Sequence, residues 1–262
     1  VPRDCGFDHL RQLRRPFGHA RGNIYMGVKN WASYLSLAWL FGQDDAAALR
    51  PRIDSALQSA ALAADTVDRA WDERLGFIPA ILDGNDRSAI IPVIEGLVYP
   101  AYLGLTDAVS FNGPYGALLR ALRRHLRAVL RPGRCLFPDG GWKLSAGSDN
   151  SWMSKIFICQ HVARAVLKLR ADPLADEAHD RWWRVGCAGH SVIDQVIAGG
   201  AAGGGAIYPR CVSSFLWIAK DGNVPAARKP RRSSPVRRTH GHRAGHTEKT
   251  ALLHNTDRMV AS

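Results

Sequence analysis

Residues Gly113–Leu130, GPYGALLRALRRHLRAVL, decide the fold class. Leu118, Leu122, Leu126 and Val129 recur at threes and fours, so they share one face of a helix. Arg120, Arg123, Arg124 and Arg127 occupy the rest of the surface, which reads as a solvated face and not as a nucleic-acid site. This is the clearest amphipathic helix of the chain, and its neighbours repeat the pattern. Upstream, Gly22–Phe41 places Ile24, Val28, Trp31, Leu35 and Ala38 at helical spacing, with Gly42 as a stop. Residues 45–71 form a second, Ala-rich helix, and Ile90–Leu105 a short helical stretch interrupted by Pro92 and Pro100. Downstream, a long loop over Arg131–Asn150 leads to a helix from Ser151 to Leu169. Further helices are expected over Pro173–Val185 and Ser191–Ala198. Strand signals are weak and confined to Ile207–Ile218. Helices joined by irregular loops, without alternating strands, predict an all-α domain.

The length of 262 residues supports a proper core, and the 46% hydrophobic fraction is ordinary for a globular protein. No apolar run approaches the roughly 20 residues needed to cross a bilayer. The five cysteines are scattered, without a C-x-x-C pair. They read as reduced thiols and place the protein in the cytoplasm, with no zinc site or disulfide framework. The formal net charge of +12 is concentrated at the two ends. Residues 22–219 carry 20 basic and 18 acidic side chains, a nearly neutral body. After Lys220 large apolar residues almost vanish, so residues 220–262 are expected to be a disordered basic tail. The glycine run GGAAGGGA, Gly199–Ala206, lacks the phosphate-loop order and reads as a flexible connector.

Chemistry is concentrated in the carboxylates. Glu95 stands alone in the apolar run IIPVIEGLVYP, where an unpaired buried charge would be costly, so it is either paired or functional. Asp83 and Asp86 flank a turn. The loop DGGWKLSAGSDNSWMSK, Asp139–Lys155, gathers Asp139, Trp142, Lys143, Asn150, Trp152 and Lys155. Carboxylate, amide and ammonium groups suit sugar hydroxyls, and flat aromatic faces suit pyranose rings. The same loop also serves structure: Ser148, Asp149 or Ser151 is expected to cap the following helix, with Trp152, Ile156, Cys159 and Ala163 along its core face. His240, His242 and His246 lie in the polar tail without a carboxylate or cysteine partner, and His161 lies within a helix. None of them is read as a metal ligand.

Four blocks carry a family resemblance. They are ARGNIYMGVKNWASY (Ala20–Tyr34), GFIPAILDGND (Gly76–Asp86), IIPVIEGLVYP (Ile90–Pro100) and CLFPDGGWKLSAGSDNSWMSKIFICQ (Cys135–Gln160). In this order they resemble the C-terminal part of glycoside hydrolase family 52, the β-xylosidases, and YPRCVSSFLWI, Tyr208–Ile218, resembles that family's closing segment. The likeness spans about residues 18–219. It implies a retaining hydrolase of xylo-oligosaccharides needing neither metal nor cofactor. It also implies part of an (α/α)6 barrel of six-hairpin glycosidase type, preceded in the family by a β-sandwich. No nucleic-acid or membrane partner is expected, and oligomeric state is left open. The candidate substrate contacts are Glu95, Asp139, Trp142, Lys143, Asn150, Trp152 and Lys155.

Two departures bear on catalysis. A dozen helices make such a barrel, and six or seven are counted here, without the region that holds the family's nucleophilic Glu. The family's acid/base Asp lies in a Thr-Thr-Tyr-Asp-Ser-Leu-Asp stretch, where this chain reads FDHLRQLRRPF, Phe7–Phe17. Codons for Asp8–Pro16 written GAC CAC CTA CGA CAG CTT AGA CGC CCC, read one base later, encode Thr-Thr-Tyr-Asp-Ser-Leu-Asp-Ala. Residues 1–17 are therefore expected to be frame-shifted family sequence. Asp8 takes no catalytic role, and the expected catalytic set is empty. The expected organisation is residues 1–17, a partial barrel over 18–219, and the tail over 220–262. The resulting expectation is an incomplete glycosidase, inactive by itself. A contrasting expectation is a small helical protein binding nucleic acid or acidic surfaces through its tail, and a third is a stand-alone carbohydrate-binding module.

Overall fold

A computed structural model describes residues 22–44, 47–83, 87–186, 195–197 and 201–202. The fold is all-α, consistent with part of a helical barrel, and carries one small β ribbon. Helix α1 (Ile24–Phe41) begins at Asn23, whose side chain accepts a hydrogen bond from the Met26 N–H at 3.2 Å. Gly42 follows its last turn. A 3-10 turn (Ala47–Leu49) leads into α2 (Arg50–Asp68), with a proline in the first turn, where its missing N–H is tolerated. Ile53, Ala56, Ala60, Ala64 and Val67 form the buried stripe of α2, and its three alanines let it lie closely along α1.

The segment Pro92–Leu97 is a fully buried 3-10 helix that continues into the short helix α3 (Val98–Tyr102). It packs between α1 and α5 (Met153–Ala165). Gly96 permits this approach: a Cβ there would lie 2.8 Å from Val28 Cγ1 and 2.9 Å from the Val28 carbonyl oxygen. Helix α4 (Gly116–Val129) buries Leu118, Leu122, Leu126 and Val129, as its spacing predicts. His125 is also on that apolar face. Its Nδ1 accepts from the Ile78 N–H at 3.1 Å, which leaves the Nε2 proton to bond the Ile90 carbonyl at 2.9 Å. The imidazole thus ties two irregular segments to α4.

The long loop after α4 leads into β1 (Asn150–Trp152), which pairs antiparallel with β2 (Gln195–Ile197), itself paired with β3 (Ala201–Ala202). This corrects three expectations. The helix expected over Ser191–Ala198 is a strand at residues 195–197, where Val196 and Ile197 favour extended backbone. Strand structure is not confined to Ile207–Ile218, a segment outside the described residues. Within the expected connector, Ala201–Ala202 form β3.

The capping expectation is also corrected. Helix α5 starts after Trp152 with no side-chain cap, because the chain arrives in extended conformation along β1. Ser151 Oγ instead donates to the Trp142 carbonyl at 2.6 Å, and Ser148 Oγ donates to Asn150 Oδ1 at 2.9 Å. Helix α6 (Pro173–Gly186) closes a second cluster of Phe137, Met153, Phe157, Ala178, Trp182 and Val196. Gly141 makes room for it, since a Cβ there would come within 2.1 Å of the Trp182 ring. Gly141→Ala is expected to lower unfolding free energy by about 1–3 kcal/mol and weaken the near-ultraviolet dichroism. An unchanged urea midpoint would show that Trp182 is not seated there. The segments expected as a frame-shifted start (1–17) and a disordered tail (220–262) lie outside the described residues.

Candidate functional site

The lone acid of the apolar run has found its partners. Glu95 is 1% exposed, and its carboxylate is bracketed by two ammonium groups. Lys155 Nζ lies 2.8 Å from Oε2, and Lys29 Nζ lies 3.0 Å from Oε1. The Tyr25 hydroxyl donates to Oε2 at 3.0 Å and accepts from Lys155 Nζ at 2.7 Å. Three elements supply these groups. Tyr25 and Lys29 are one turn apart on α1, Glu95 comes from the buried 3-10 helix, and Lys155 from the first turn of α5.

Burial pushes the Glu95 carboxyl up, but Lys155 and Lys29 outweigh it and hold the group below the usual carboxylate range. Burial opposes the charge on Lys29, yet Glu95 and Tyr25 raise its pKa above the ordinary lysine value. Glu95 therefore stays ionised near neutrality and is unsuited to donate a proton. Aromatic rings surround the cations. Lys29 Nζ lies 4.5 Å from the centroid of Tyr25 and 5.9 Å from that of Tyr99, and Lys155 Nζ lies 6.0 Å from that of Trp152. Tyr99 is 43% exposed, and Tyr25, Lys29 and Trp152 are half-buried, so the cluster reaches the surface on one side. Hydroxyl and ammonium donors beside flat rings can hold sugar hydroxyls. The charged groups that act on Glu95 most strongly are Lys155 and Lys29.

Of the loop residues singled out in sequence, only Trp152 and Lys155 join Glu95. Asp139 turns the other way: Oδ1 accepts from the Gly141 N–H at 3.0 Å, and Oδ2 accepts from Trp182 Nε1 and Arg181, each at 2.8 Å. Trp142 is 4% exposed, and its backbone N–H donates to His179 Nε2 at 2.9 Å. Both residues dock α6. Trp142 also lines a cavity of 330 Å³ beside Gln160 and Arg164. Lys143 reaches the exposed Asp149 at 3.6 Å, and Asn150 is held by Ser148. Asp83 is exposed, and Asp86 lies outside the described residues. Tyr25, Lys29 and Tyr99 were missed. The available signal was a tyrosine and a lysine four apart, bordering the apolar face of α1.

Burial pushes the Cys135 thiol up to about 12 and raises Cys159 further, so these two thiols are inert. Among the described residues, no three histidine, cysteine or acidic side chains gather as a metal site would require. No helix among them is long and apolar enough to cross a membrane.

No family model matches the chain. It is 46% identical over 213 residues to a β-xylosidase of Geobacillus stearothermophilus, a match covering 77% of this chain. The chain spans 28% of that relative's length.

Proposed function

We propose that the chain is the helical portion of a retaining β-xylosidase of glycoside hydrolase family 52. In this reading it supplies one wall of a xylo-oligosaccharide site and is inactive without the missing carboxylates. The observation that carries the reading is the 46% identity over 213 residues to a β-xylosidase. The cluster of Glu95, Lys29, Lys155 and Tyr25 supports it chemically. An ionised acid pins two ammonium groups beside Tyr99 and Trp152, as a site that orients sugar hydroxyls without reacting would require. Lys143 and Asn150, in the same loop, are further candidate contacts, and reduced thiols at Cys135 and Cys159 fit a cytoplasmic protein.

Retaining hydrolysis needs a nucleophilic carboxylate and an acid/base carboxyl about 5–5.5 Å apart. Glu95 is neither in this reading, because its lysine partners keep it charged and occupied. The purified chain is therefore expected to release no nitrophenol from nitrophenyl β-xyloside. A chimera tests the family itself: residues 22–186 replace the matching segment of the Geobacillus relative, whose remaining sequence would, in this reading, supply both carboxylates. Hydrolysis of the xyloside by the chimera is the expected result. A folded chimera that binds and cleaves no β-xyloside would overturn the reading.

A further inference from the structure

Helix α4 and the turn after it set six arginines around one concavity of 490 Å³. Arg120, Arg123, Arg124 and Arg127 come from the helix, Arg131 and Arg134 from beyond it, and Trp71 lines the same hollow. A solvated arginine face would extend its side chains into water. Here several guanidinium groups are held in place, mostly by groups that leave their charge uncompensated. Arg120 donates to the Phe111 carbonyl at 2.8 Å, and Arg134 donates to the carbonyls of Ala128 and Leu75 at 3.1 and 3.3 Å. Arg124 stacks 3.5 Å from the Trp71 ring centroid, and Arg123 sits 5.3 Å from that of Phe111.

Only one carboxylate meets these cations among the described residues. Glu73 lies 3.4 Å from Arg124, and both side chains are exposed, so the pair neutralises little. Arg127 and Arg131 have no ion-pair partner among the described residues. Trp71 and Arg123, both lining the hollow, each keep one buried N–H without an acceptor, Trp71 Nε1 and Arg123 Nε. Both atoms are closed to solvent, so the groups open to a ligand are the guanidinium ends of the exposed arginines. Guanidinium groups bind phosphate and carboxylate through paired N–H donors. The volume is that of a small-molecule pocket, too small for a duplex.

We propose that this hollow binds a small multivalent oxyanion, a molecule carrying clustered phosphate or carboxylate groups. Titration calorimetry of the full chain at physiological salt tests it, with tripolyphosphate and trigalacturonate as separate probes. Saturable one-to-one binding of either probe is expected, and the tighter probe identifies phosphate or carboxylate as the recognised group. Arg127→Gln with Arg131→Gln should weaken binding at least tenfold. Arg127→Lys, which keeps the charge but loses the fork, should weaken it several-fold. Because Arg127 and Arg131 are exposed and have no ion-pair partner among the described residues, the far-ultraviolet dichroism of these variants should match that of the parent. Arg69→Gln removes an exposed arginine paired with Asp65 elsewhere and should change nothing. Binding of neither probe, equal loss in Arg69→Gln, or tighter binding of duplex DNA than of both probes would each overturn the proposal.

Discussion

Replacing Glu95 with alanine is expected to lower the free energy of unfolding by about 3–5 kcal/mol, read from urea denaturation. The cause is what remains behind. Lys155 has a side chain only 10% exposed, and Lys29 only 23% exposed, and both would lose the carboxylate that offsets their burial. Glu95→Gln keeps the shape and one acceptor, so its cost should be smaller. Pairing Glu95→Leu with Lys155→Met removes acid and base together, and should recover a large part of the loss, since matched apolar replacements of buried pairs are often neutral. Lys29 can then turn its ammonium towards water. A loss below about 1 kcal/mol in Glu95→Ala would show that the cluster does not hold these elements together.

The second large effect is acid sensitivity set by two buried histidines. Burial lowers the His125 pKa to about 4 and the His179 pKa to about 3. In each case the lone pair that would take a proton already accepts a backbone N–H, from Ile78 and Trp142 respectively. Folded histidines therefore stay neutral where unfolded ones, with a pKa near 6.5, become charged. Stability is complete above about pH 6.5 and falls as pH drops towards the folded values, because the unfolded chain binds more protons. Each histidine accounts for roughly 1.4 kcal/mol per pH unit inside that window. A falling thermal midpoint between pH 6.5 and 5 is expected. The Glu95 carboxyl, held below its ordinary 4.5, adds to the loss only at lower pH. Glutamine at both histidine positions should flatten the upper part of the profile. A midpoint level from pH 7 to 5 in the parent chain would refute the assignment.

What could be read without coordinates follows from how local each signal is. Helices α1, α2 and α4 were legible because one packed face and one wet face write a 3.6-residue period into the chain. Helix α5 was legible in place but not in character. Ser154, Lys155, Gln160 and His161 are buried along with its apolar residues, so no polar face marks its orientation. The β ribbon was missed because three-residue strands are too short to show alternation. Glu95 could be identified as needing a base, since an acid in an apolar run has few other fates. Its partners could not be, because Tyr25 and Lys155 lie 70 and 60 positions away and no spacing rule joins them. Asp139 and Trp142 have the composition of a sugar contact, and their part in seating α6 could not be read, because it depends on His179 and Trp182 some 40 residues later.

The ion cluster also bears on how the chain is made. Tyr25 and Lys29 leave the ribosome well before Glu95, and Lys155 follows 60 residues later. At about 5–20 residues per second, that interval is roughly 3–12 s. During it the nascent chain holds a carboxylate bound for burial with only one of its two cations yet made. The segment around Glu95 cannot settle until α5 emerges. Arrest of synthesis before Lys155 would leave that apolar run exposed, open to a chaperone or to a neighbouring nascent chain.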